Sequence, residues 1–350
     1  MHNNRYSRYR DTELLTTPSS IFSSLIADLQ HAHDTIDMEY YIFANDRTGN
    51  LFVDLLCRKA RQGLRVRLIV DGYGSLAMGR SMQRTLLKGG VELTRRSLMC
   101  RGRNHRKMAI IDGRIAHVGG VNIADRYVVG NALGVWHDAQ LRITGGAVAA
   151  LSHLFDYDHM VSEGVMCEVP MPYSSATQQV VWSECRGGHA MSELLNSVIT
   201  TACRRLVIVT PYFMPPRSVF RQLVEAVERG VDVTIIIPER CDVWVLDHII
   251  RQHISQAVSH GINIRICRHA FVHAKLAVVD DRSVVVGSAN LDARSINLNR
   301  EVMVVTREHS VVDAAHSFVS RLLRLSYAPV EQDRRSLIPA FVCQWFEGVL

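Results

Sequence analysis

With 350 residues, 47% of them hydrophobic, the chain is long enough for two domains or for one large duplicated domain around a substantial core. The net charge of +6 favours an anionic partner such as nucleic acid, anionic lipid or a phosphate-bearing substrate, but no basic run is long enough to indicate a nucleic-acid-binding tail. The eight cysteines show no CxxC pair and no regular spacing, which excludes a disulfide framework and favours reduced thiols in the cytosol.

The N-terminal segment, residues 1–17, is polar and lacks the apolar region of a signal peptide. No run of about 18–20 apolar residues occurs along the sequence, so no membrane-spanning segment is expected.

From residue 18 onward, predicted strands alternate with predicted helices, which is typical of an α/β fold. A first half covers residues 18–161, with helices predicted at 18–31, 51–62, 78–87 and 147–159 and strands at 35–43, 65–71, 91–95 and 139–143. Proline, serine and glycine are frequent in 162–188, which predicts a connection between two halves.

The second half, residues 189–328, repeats this order. Helices are predicted at 191–204, 219–229, 243–259 and 310–325, and strands at 206–212, 231–237, 262–267 and 301–305. The remaining tail, 329–350, places apolar residues from 338 to 349 on one helical face. Such a face can dock on the protein's own core or lie in a membrane interface, and the sequence leaves both open.

Two stretches of polar residues recur at a constant offset. The first, HRKMAIIDGRIAHVGGVNIADR, runs over 105–126, and the second, HAKLAVVDDRSVVVGSANLDAR, runs over 273–294. The offset of 168 residues pairs His105 with His273, Lys107 with Lys275, Asp112 with Asp280, Gly120 with Ser288, and Asn122 with Asn290. We interpret the pattern as an internal repeat whose two copies build one active site.

The repeated residue types suit the chemistry of a phosphodiester. One neutral imidazole can attack phosphorus, and the other, protonated, can donate a proton to the leaving alkoxide. Lysine ammonium groups and asparagine amides can stabilise the nonbridging oxygens as charge develops. Glycines allow the chain to turn close to the phosphate. Lysine occurs only at 59, 88, 107 and 275, so the two motifs contain half of the lysines in a chain that otherwise uses arginine.

The duplicated His-x-Lys-x4-Asp motif, followed in both copies by Gly-Gly/Ser-x-Asn, resembles the signature of the phospholipase D superfamily. The flanking stretches MEYYIFANDRTG (38–49), VTPYFMPP (209–216) and GSANLDARSINLNRE (287–301) are most similar to bacterial cardiolipin synthases. The resemblance covers about residues 20–330. It implies two pseudo-twofold-related α/β halves, each a mixed sheet flanked by helices, with the active site at their interface.

The resemblance also implies roles for particular residues. His105 is expected to be the nucleophile and His273 the general acid and base, with Lys107 and Lys275 beside them. Asp112 and Asp280 belong to the catalytic constellation, although we expect each to orient its own motif. Asn122, Asn290, Ser288 and Gly120 are expected to bind substrate, and Glu301 to support an imidazole from behind.

The implied reaction joins two phosphatidylglycerols, or uses a related phosphatidyl donor, to make cardiolipin without a metal or other cofactor. The implied partners are anionic phospholipid and the inner face of the cell membrane, where the chain is expected to be a cytoplasmic peripheral protein; no nucleic acid is expected. A phospholipase D or nuclease with water as acceptor, and an inactive module that binds anionic lipid or nucleic acid, remain alternatives.

Two weaker features complete the prediction. Four residues, His153, Asp156, Asp158 and His159, could ligate a metal but follow no standard motif, so we expect them to be surface charges. The run Glu39-Tyr40-Tyr41 precedes the first motif, and its counterpart lies near Thr210-Pro211-Tyr212. These tyrosines can line a lipid groove or pack in the core.

Overall fold

The fold is described for residues 12–97, 102–185 and 189–331 of a computed structural model. Strands of the first half are β1 (Thr12–Leu15), β2 (Thr35–Tyr40), β3 (Arg65–Val70), β4 (Glu92–Arg95), β5 (Lys107–Ile111), β6 (Ile115–Gly119), β7 (Val135–His137) and β8 (Gln140–Thr144). Its helices are α1 (Pro18–Gln30), α2 (Arg47–Arg61), α3 (Gly79–Lys88), α4 (Arg126–Val129) and α5 (Gly146–Ser162).

The second half continues the same alternation. Its strands are β9 (Tyr173–Ser174), β10 (Gln178–Trp182), β11 (Arg205–Val209), β12 (Phe213–Met214), β13 (Asp232–Pro238), β14 (Asn263–Cys267), β15 (Ala270–Val272), β16 (Leu276–Val279), β17 (Ser283–Gly287), β18 (Leu291–Asp292), β19 (Val302–Thr306) and β20 (Ser326–Tyr327). Its helices are α6 (Ala190–Thr201), α7 (Arg217–Glu228), α8 (Trp244–Ser259), α9 (Ala293–Asn297) and α10 (His309–Arg324).

Two mixed sheets share one strand order. The first contains β8-β6-β5-β2-β3-β4 and the second contains β19-β17-β16-β11-β13-β14 in the same sequence of neighbours. In both, the last three strands are parallel and the first four alternate in direction. The predicted duplicated α/β fold is therefore confirmed, and the motif strands β5 and β16 occupy equivalent central positions.

The two sheets share a hydrophobic core that joins the halves. Val118 of β6 and Val286 of β17 belong to one buried cluster, which also includes Leu151 of α5 and Phe318 of α10. Separate clusters on the outer faces pack the first sheet against α1–α3 and the second against α6–α8. Because burial of this much apolar surface is the main stabilising contribution to folding, the halves are held in one fixed relation and their motifs meet.

Two segments are more ordered than their composition predicts. Thr12–Leu15 in the polar N-terminal segment forms an edge strand paired with β8, and β10 in the predicted connection pairs with β19. Val180 and Trp182 alternate inward from β10 and are buried in the shared core, which explains why this part of 162–188 joins the second sheet. The apolar face predicted at 338–349 lies outside the described residues, and none of the described helices is long and apolar enough to cross a membrane.

The motif aspartates anchor the C-terminal end of each motif strand through hydrogen bonds to backbone N–H groups. Asp112 accepts hydrogen bonds from the backbone N–H groups of three residues that lead into β2, at 2.8–3.2 Å. Asp280 does the same for three residues that lead into β11, at 2.7–2.9 Å. Both aspartates have a positive φ, 53° and 50°, which Asp tolerates better than most residues. They follow β5 and β16, so the strands separate them from the histidines.

Replacing either aspartate by asparagine should destabilise the fold by about 1–2 kcal/mol, because charge-assisted hydrogen bonds to several N–H groups become neutral ones. Asn keeps the tolerance for positive φ, so the change tests the carboxylate alone. Thermal or urea unfolding of Asp112→Asn and Asp280→Asn measures the loss. Asp281→Asn is the matched control, since Asp281 also has positive φ but is half-exposed. Equal stability of all three variants would contradict this role.

Candidate active site

Each motif histidine is held by a carboxylate from the opposite half. His105 Nδ1 lies 2.9 Å and 3.0 Å from the carboxylate oxygens of Glu301. His273 Nδ1 lies 2.6 Å from Asp138 Oδ2. When Nδ1 donates to a carboxylate, the tautomer is fixed and Nε2 keeps its lone pair. Both imidazoles are thus held through Nδ1, and Nε2 of His273 also lies 3.0 Å from Lys275 Nζ.

The crossed pairs arise from parallel backbone pairing between the halves. Strand β7 pairs with β15 so that His137 lies opposite Val272, and the next residues, Asp138 and His273, come together. An isolated parallel bridge pairs Asn104 with Arg300, so His105 and Glu301 follow side by side. The parallel pairing of these backbone segments therefore places each acid beside its histidine.

Gly120 and Ser288 lie next to the two carboxylates that hold the histidines. A Cβ at Gly120 would lie 2.2 Å from Asp138 Oδ1, so glycine is needed for the close approach of that carboxylate. At the equivalent position, Ser288 Oγ donates to Glu301 Oε2 at 2.5 Å. Ser288 is fully buried, and neither residue lines the cavity beside His105.

The two motif lysines are buried and fold back onto their own motifs. Lys107 Nζ donates to the carbonyl of His105, and Lys275 Nζ to the carbonyl of His273. Lys275 Nζ also lies 3.0 Å from both ring nitrogens of His273. Burial lowers the pKa of Lys107 to about 7 although Glu301 opposes the shift, and burial lowers the pKa of Lys275 to about 8 although Asp138 opposes it.

Burial also keeps both imidazoles neutral. It lowers the pKa of His105, with Glu301 opposing, and together with the charge of Lys275 it lowers the pKa of His273 to about 3. Burial alone would raise the pKa of Glu301 and Asp138, but the paired histidines and the lysines lower both. The site at neutral pH thus holds two carboxylates, two neutral imidazoles and two lysines that titrate near neutrality.

The two motif asparagines have different surroundings. Asn290 lines the cavity beside His105, as expected for a substrate contact. Asn122 is buried, accepts a hydrogen bond from the Ile42 N–H at 2.9 Å and donates one to the Tyr127 hydroxyl at 2.6 Å. Asn122 therefore supports the chain that follows β2, and it is not among the residues that line the cavity.

A cavity of about 640 Å³ opens beside His105. Tyr41 and Tyr212, the tyrosines that sequence placed at equivalent positions, both line it, and the Tyr41 ring meets the His105 imidazole edge-on with 4.9 Å between centroids. Arginines and apolar side chains complete the wall, including Arg103, Arg217, Arg294, Met214, Val243 and Leu246. The cavity can hold a drug-sized, partly apolar anion next to one imidazole.

His273 has a more enclosed, aromatic setting. Its ring centroid lies 5.2 Å from that of Trp136, 5.3 Å from that of Tyr127 and 6.1 Å from that of Phe271. It does not line the cavity that His105 faces. The two histidines are thus alike in their acid partners and different in their access.

A buried network of ion pairs lies behind the site. Asp158 bridges Arg106 and Arg300, the latter at 2.5 Å, and Glu184 also binds both arginines. The prediction that Asp158 is a surface charge is therefore wrong: its side chain is fully buried between cations from both motif regions. Asp156 pairs with Arg67 at 2.7 Å, and no group of potential metal ligands occurs in the described ranges.

Asp138 is the functional residue that sequence reasoning missed. It follows Arg126 by twelve residues, whereas Glu301 follows Arg294 by seven, so the constant offset of the repeat does not align them. The usable signal was an acidic residue just before the strand that follows each motif, β8 in one half and β19 in the other. Asp112 and Asp280, in contrast, are not brought to the histidines.

Glu39 at the end of β2 is fully buried and accepts a hydrogen bond from the side chain of Asn104. Burial and the charge of Asp158 raise the pKa of Glu39 to about 8. At neutral pH this residue is therefore a carboxylic acid. It supports the residue that precedes His105 without adding a negative charge to the network.

Duplicated α/β halves with two crossed histidine–carboxylate pairs define a phospholipase D-like protein. The chain belongs to the family described as cardiolipin synthase, phospholipase D-like domain, whose model matches residues 25–143 and 195–323. It is 31% identical over 300 residues to the cardiolipin synthase of Alkalihalophilus pseudofirmus and 32% identical over 294 residues to cardiolipin synthase A of Pseudomonas putida. These matches cover 81% and 80% of this chain and 60% and 61% of the relatives, so the chain spans about three fifths of their length.

Two solved structures share the fold. Phosphatidylserine synthase from Haemophilus influenzae superposes with a TM-score of 0.77 at 16% identity, covering 97% of this chain and 93% of that one. Polyphosphate kinase from Porphyromonas gingivalis gives a TM-score of 0.66 at 16% identity, covering 97% of this chain and 53% of the kinase.

Glu39→Gln should stabilise the protein more at pH 8 than at pH 5. The folded state keeps the Glu39 proton up to about pH 8, whereas the ordinary pKa is 4.5, so folded stability falls as pH rises between these values. Gln resembles the protonated acid and has no proton to lose. We expect the gain at pH 8 to exceed that at pH 5 by at least about 1 kcal/mol, since one pKa unit corresponds to about 1.4 kcal/mol.

Chemical denaturation at several pH values measures this difference. Glu92→Gln, at an exposed carboxylate on β4, is the control and should show no such trend. A pH-independent effect of Glu39→Gln would contradict a protonated Glu39.

Proposed function

We propose that the chain is a phosphatidyltransferase that makes cardiolipin from phosphatidylglycerol, or from a related phosphatidyl donor, through a phospho-histidine intermediate. The observation that carries this proposal is the pair of crossed histidine–carboxylate contacts, each with a buried lysine folded onto its own motif, together with the cavity that opens beside His105. Membership of the family and the names of the curated relatives support the same reaction class.

In the first step, His105 Nε2 attacks the phosphorus of the donor and the P–O bond to glycerol breaks. The leaving glycerol oxygen takes a proton from His273. In the second step, the hydroxyl oxygen of a second lipid attacks phosphorus, the P–N bond to His105 breaks, and His273 takes the proton of that hydroxyl. Atoms and charge balance over the cycle, and no redox change or metal is required.

The electrostatics of the site suit His105 as the nucleophile and leave His273 to gain its proton when substrate binds. His105 is neutral and borders the cavity, as a nucleophile must. His273 needs a proton before it can act as an acid, and the negative charge of a bound phosphodiester would raise its pKa. Lys107 and Lys275 can offset the charge of the nonbridging oxygens as the transition state develops.

The proposed setting is the inner face of the cell membrane, with the chain as a cytoplasmic peripheral protein and anionic phospholipid as its partner. We propose neither a nucleic-acid partner nor a cofactor. Hydrolysis with water as acceptor uses the same residues, so product analysis with phosphatidylglycerol separates the two: transfer yields cardiolipin, and hydrolysis yields phosphatidic acid.

His105→Asn and His273→Asn should each reduce turnover at least 10³-fold, but for different reasons. Without His105 no phospho-enzyme can form. Without His273, a donor with an activated phenolate leaving group should still phosphorylate His105, because that group leaves without a proton. The His273→Asn protein should then accumulate an acid-labile adduct, which intact-protein mass spectrometry detects.

His309→Asn, at an exposed histidine that begins α10, is the control and should turn over normally. An adduct on His273 in the His105→Asn protein would reverse the assignment. An adduct on neither histidine would refute covalent catalysis.

The pH profile of kcat should be bell-shaped, because bound phosphodiester lets His273 hold the proton that it lacks in the free protein. The alkaline limb of kcat/KM should fall above about pH 7–8, because Lys107 and Lys275 lose their positive charge as pH rises through their pKa values of about 7 and about 8. The acid limb should lie below pH 6.5, because the lowered pKa of His105 keeps it neutral there. A bound anion raises the lysine pKa values, so the alkaline limb of kcat should lie at higher pH than that of kcat/KM. Coincident alkaline limbs would contradict lysine contact with the substrate.

A further inference from the structure

Two of the chain segments that line the cavity beside His105 also carry exposed apolar side chains. Val243 and Trp244, at the start of α8, are 45% and 68% exposed, and Val243 lines the cavity. Tyr73, which also lines it, is 53% exposed, and Leu76 one turn further along is 54% exposed. We call these four residues the mouth rim. Leu76 and Trp244 do not line the cavity themselves, but they lie three residues and one residue along the chain from Tyr73 and Val243, which do. Contiguous exposed apolar surface marks interaction sites.

Positive charge accompanies the mouth rim. Arg103, Arg217 and Arg294 line the same cavity, and the Arg103 guanidinium lies 4.4 Å from the centre of the Tyr73 ring. The acids at the start of α8 are engaged locally: Asp242 accepts a hydrogen bond from the Tyr212 hydroxyl at 2.7 Å, and Asp247 pairs with Arg251 at 2.9 Å. The surface around the opening therefore combines apolar and cationic groups.

The size of the cavity limits what can enter it. A volume of about 640 Å³ is that of a pocket for a drug-sized ligand. A polar headgroup with its phosphodiester fits such a space, whereas two long acyl chains need somewhere else to lie. If the chains stay in a bilayer, the opening must meet the bilayer surface.

We propose that the mouth rim inserts into the interfacial layer of an anionic bilayer, so that the cavity opens directly onto lipid headgroups. This inference rests on the proposed function, from which it takes the identity of the substrate. It adds the surface through which the protein contacts the membrane. Trp and Tyr prefer the membrane–water interface, where their rings are partly apolar and their polar atoms stay hydrated. The arginines that line the cavity can attract anionic headgroups.

The chain offers a matched control for the mouth rim. Leu87 is 56% exposed, as much as Leu76, but it lies near the end of α3, just before β4 begins. Strands β2, β3 and β4 are parallel, and Tyr41 of the cavity follows the carboxyl end of β2. Leu87 therefore lies at the opposite edge of the sheet from the opening.

The test uses the full chain, with its C-terminal tail intact in every variant, and co-sedimentation with vesicles of phosphatidylglycerol or phosphatidylcholine. The Leu76→Ser/Trp244→Ser double variant should bind phosphatidylglycerol vesicles at least about tenfold more weakly than the unmodified protein. Leu87→Ser should bind as the unmodified protein does. Raising NaCl from 0.1 M to 0.5 M should weaken binding, since salt screens exposed charges. Equal binding by the double variant would overturn the proposal.

A second readout separates docking from chemistry. Dihexanoyl phosphatidylglycerol, kept below its micelle concentration, reaches the site without a bilayer. The double variant should turn over this monomeric substrate within about twofold of the unmodified protein while losing most activity on vesicles. A loss of both activities with unchanged thermal stability would place the mouth rim in the chemistry and overturn a docking role.

Two further outcomes are informative. An unmodified protein that binds anionic vesicles through the mouth rim but turns over neither substrate would refute the proposed function and uphold the docking surface. A dimer that the double variant converts to monomer, with vesicle binding unchanged, would identify the mouth rim as a contact between copies and overturn the proposal.

Discussion

Neither motif histidine can keep its orientation without an acid from the other half. His105 depends on Glu301, and His273 depends on Asp138, each through a short contact at Nδ1. In both cases a parallel backbone pairing across the halves delivers the acid. One half folded alone would present an imidazole of undefined tautomer and rotamer. The crossed pairs therefore explain why the duplicated halves share a core and work as one unit.

Joining the halves in this way brings charges into the interior, which is costly unless each is paired. Arg106 and Arg300 lie next to the motif histidine and the supporting acid, and Asp158 and Glu184 bind both. The neutral state of Glu39 avoids a further negative charge in the same place. Such a network contributes little net stability compared with apolar packing, but removing one member leaves the others uncompensated. It thus favours a single alignment of the two motif regions.

The repeat made much of this predictable. A constant spacing of polar types identified the histidines, lysines and aspartates, and alternating apolar runs identified the strands that carry them. Asp138 was not predicted because the loop that leads to it is longer than the loop that leads to Glu301. The two acids therefore occupy equivalent positions in space but do not align in the sequence repeat. Asp158 was misjudged for a related reason: whether a polar side chain faces solvent or a buried partner depends on tertiary contacts that residue type does not encode.

The repeat does not distinguish the roles of the two histidines, but their surroundings differ. His105 borders the cavity beside Tyr41, whereas Trp136, Tyr127 and Phe271 surround His273. A nucleophile must reach phosphorus directly, while an acid only has to reach the leaving oxygen. Divergent surroundings around two equivalent histidines thus support His105 as nucleophile and His273 as the acid and base.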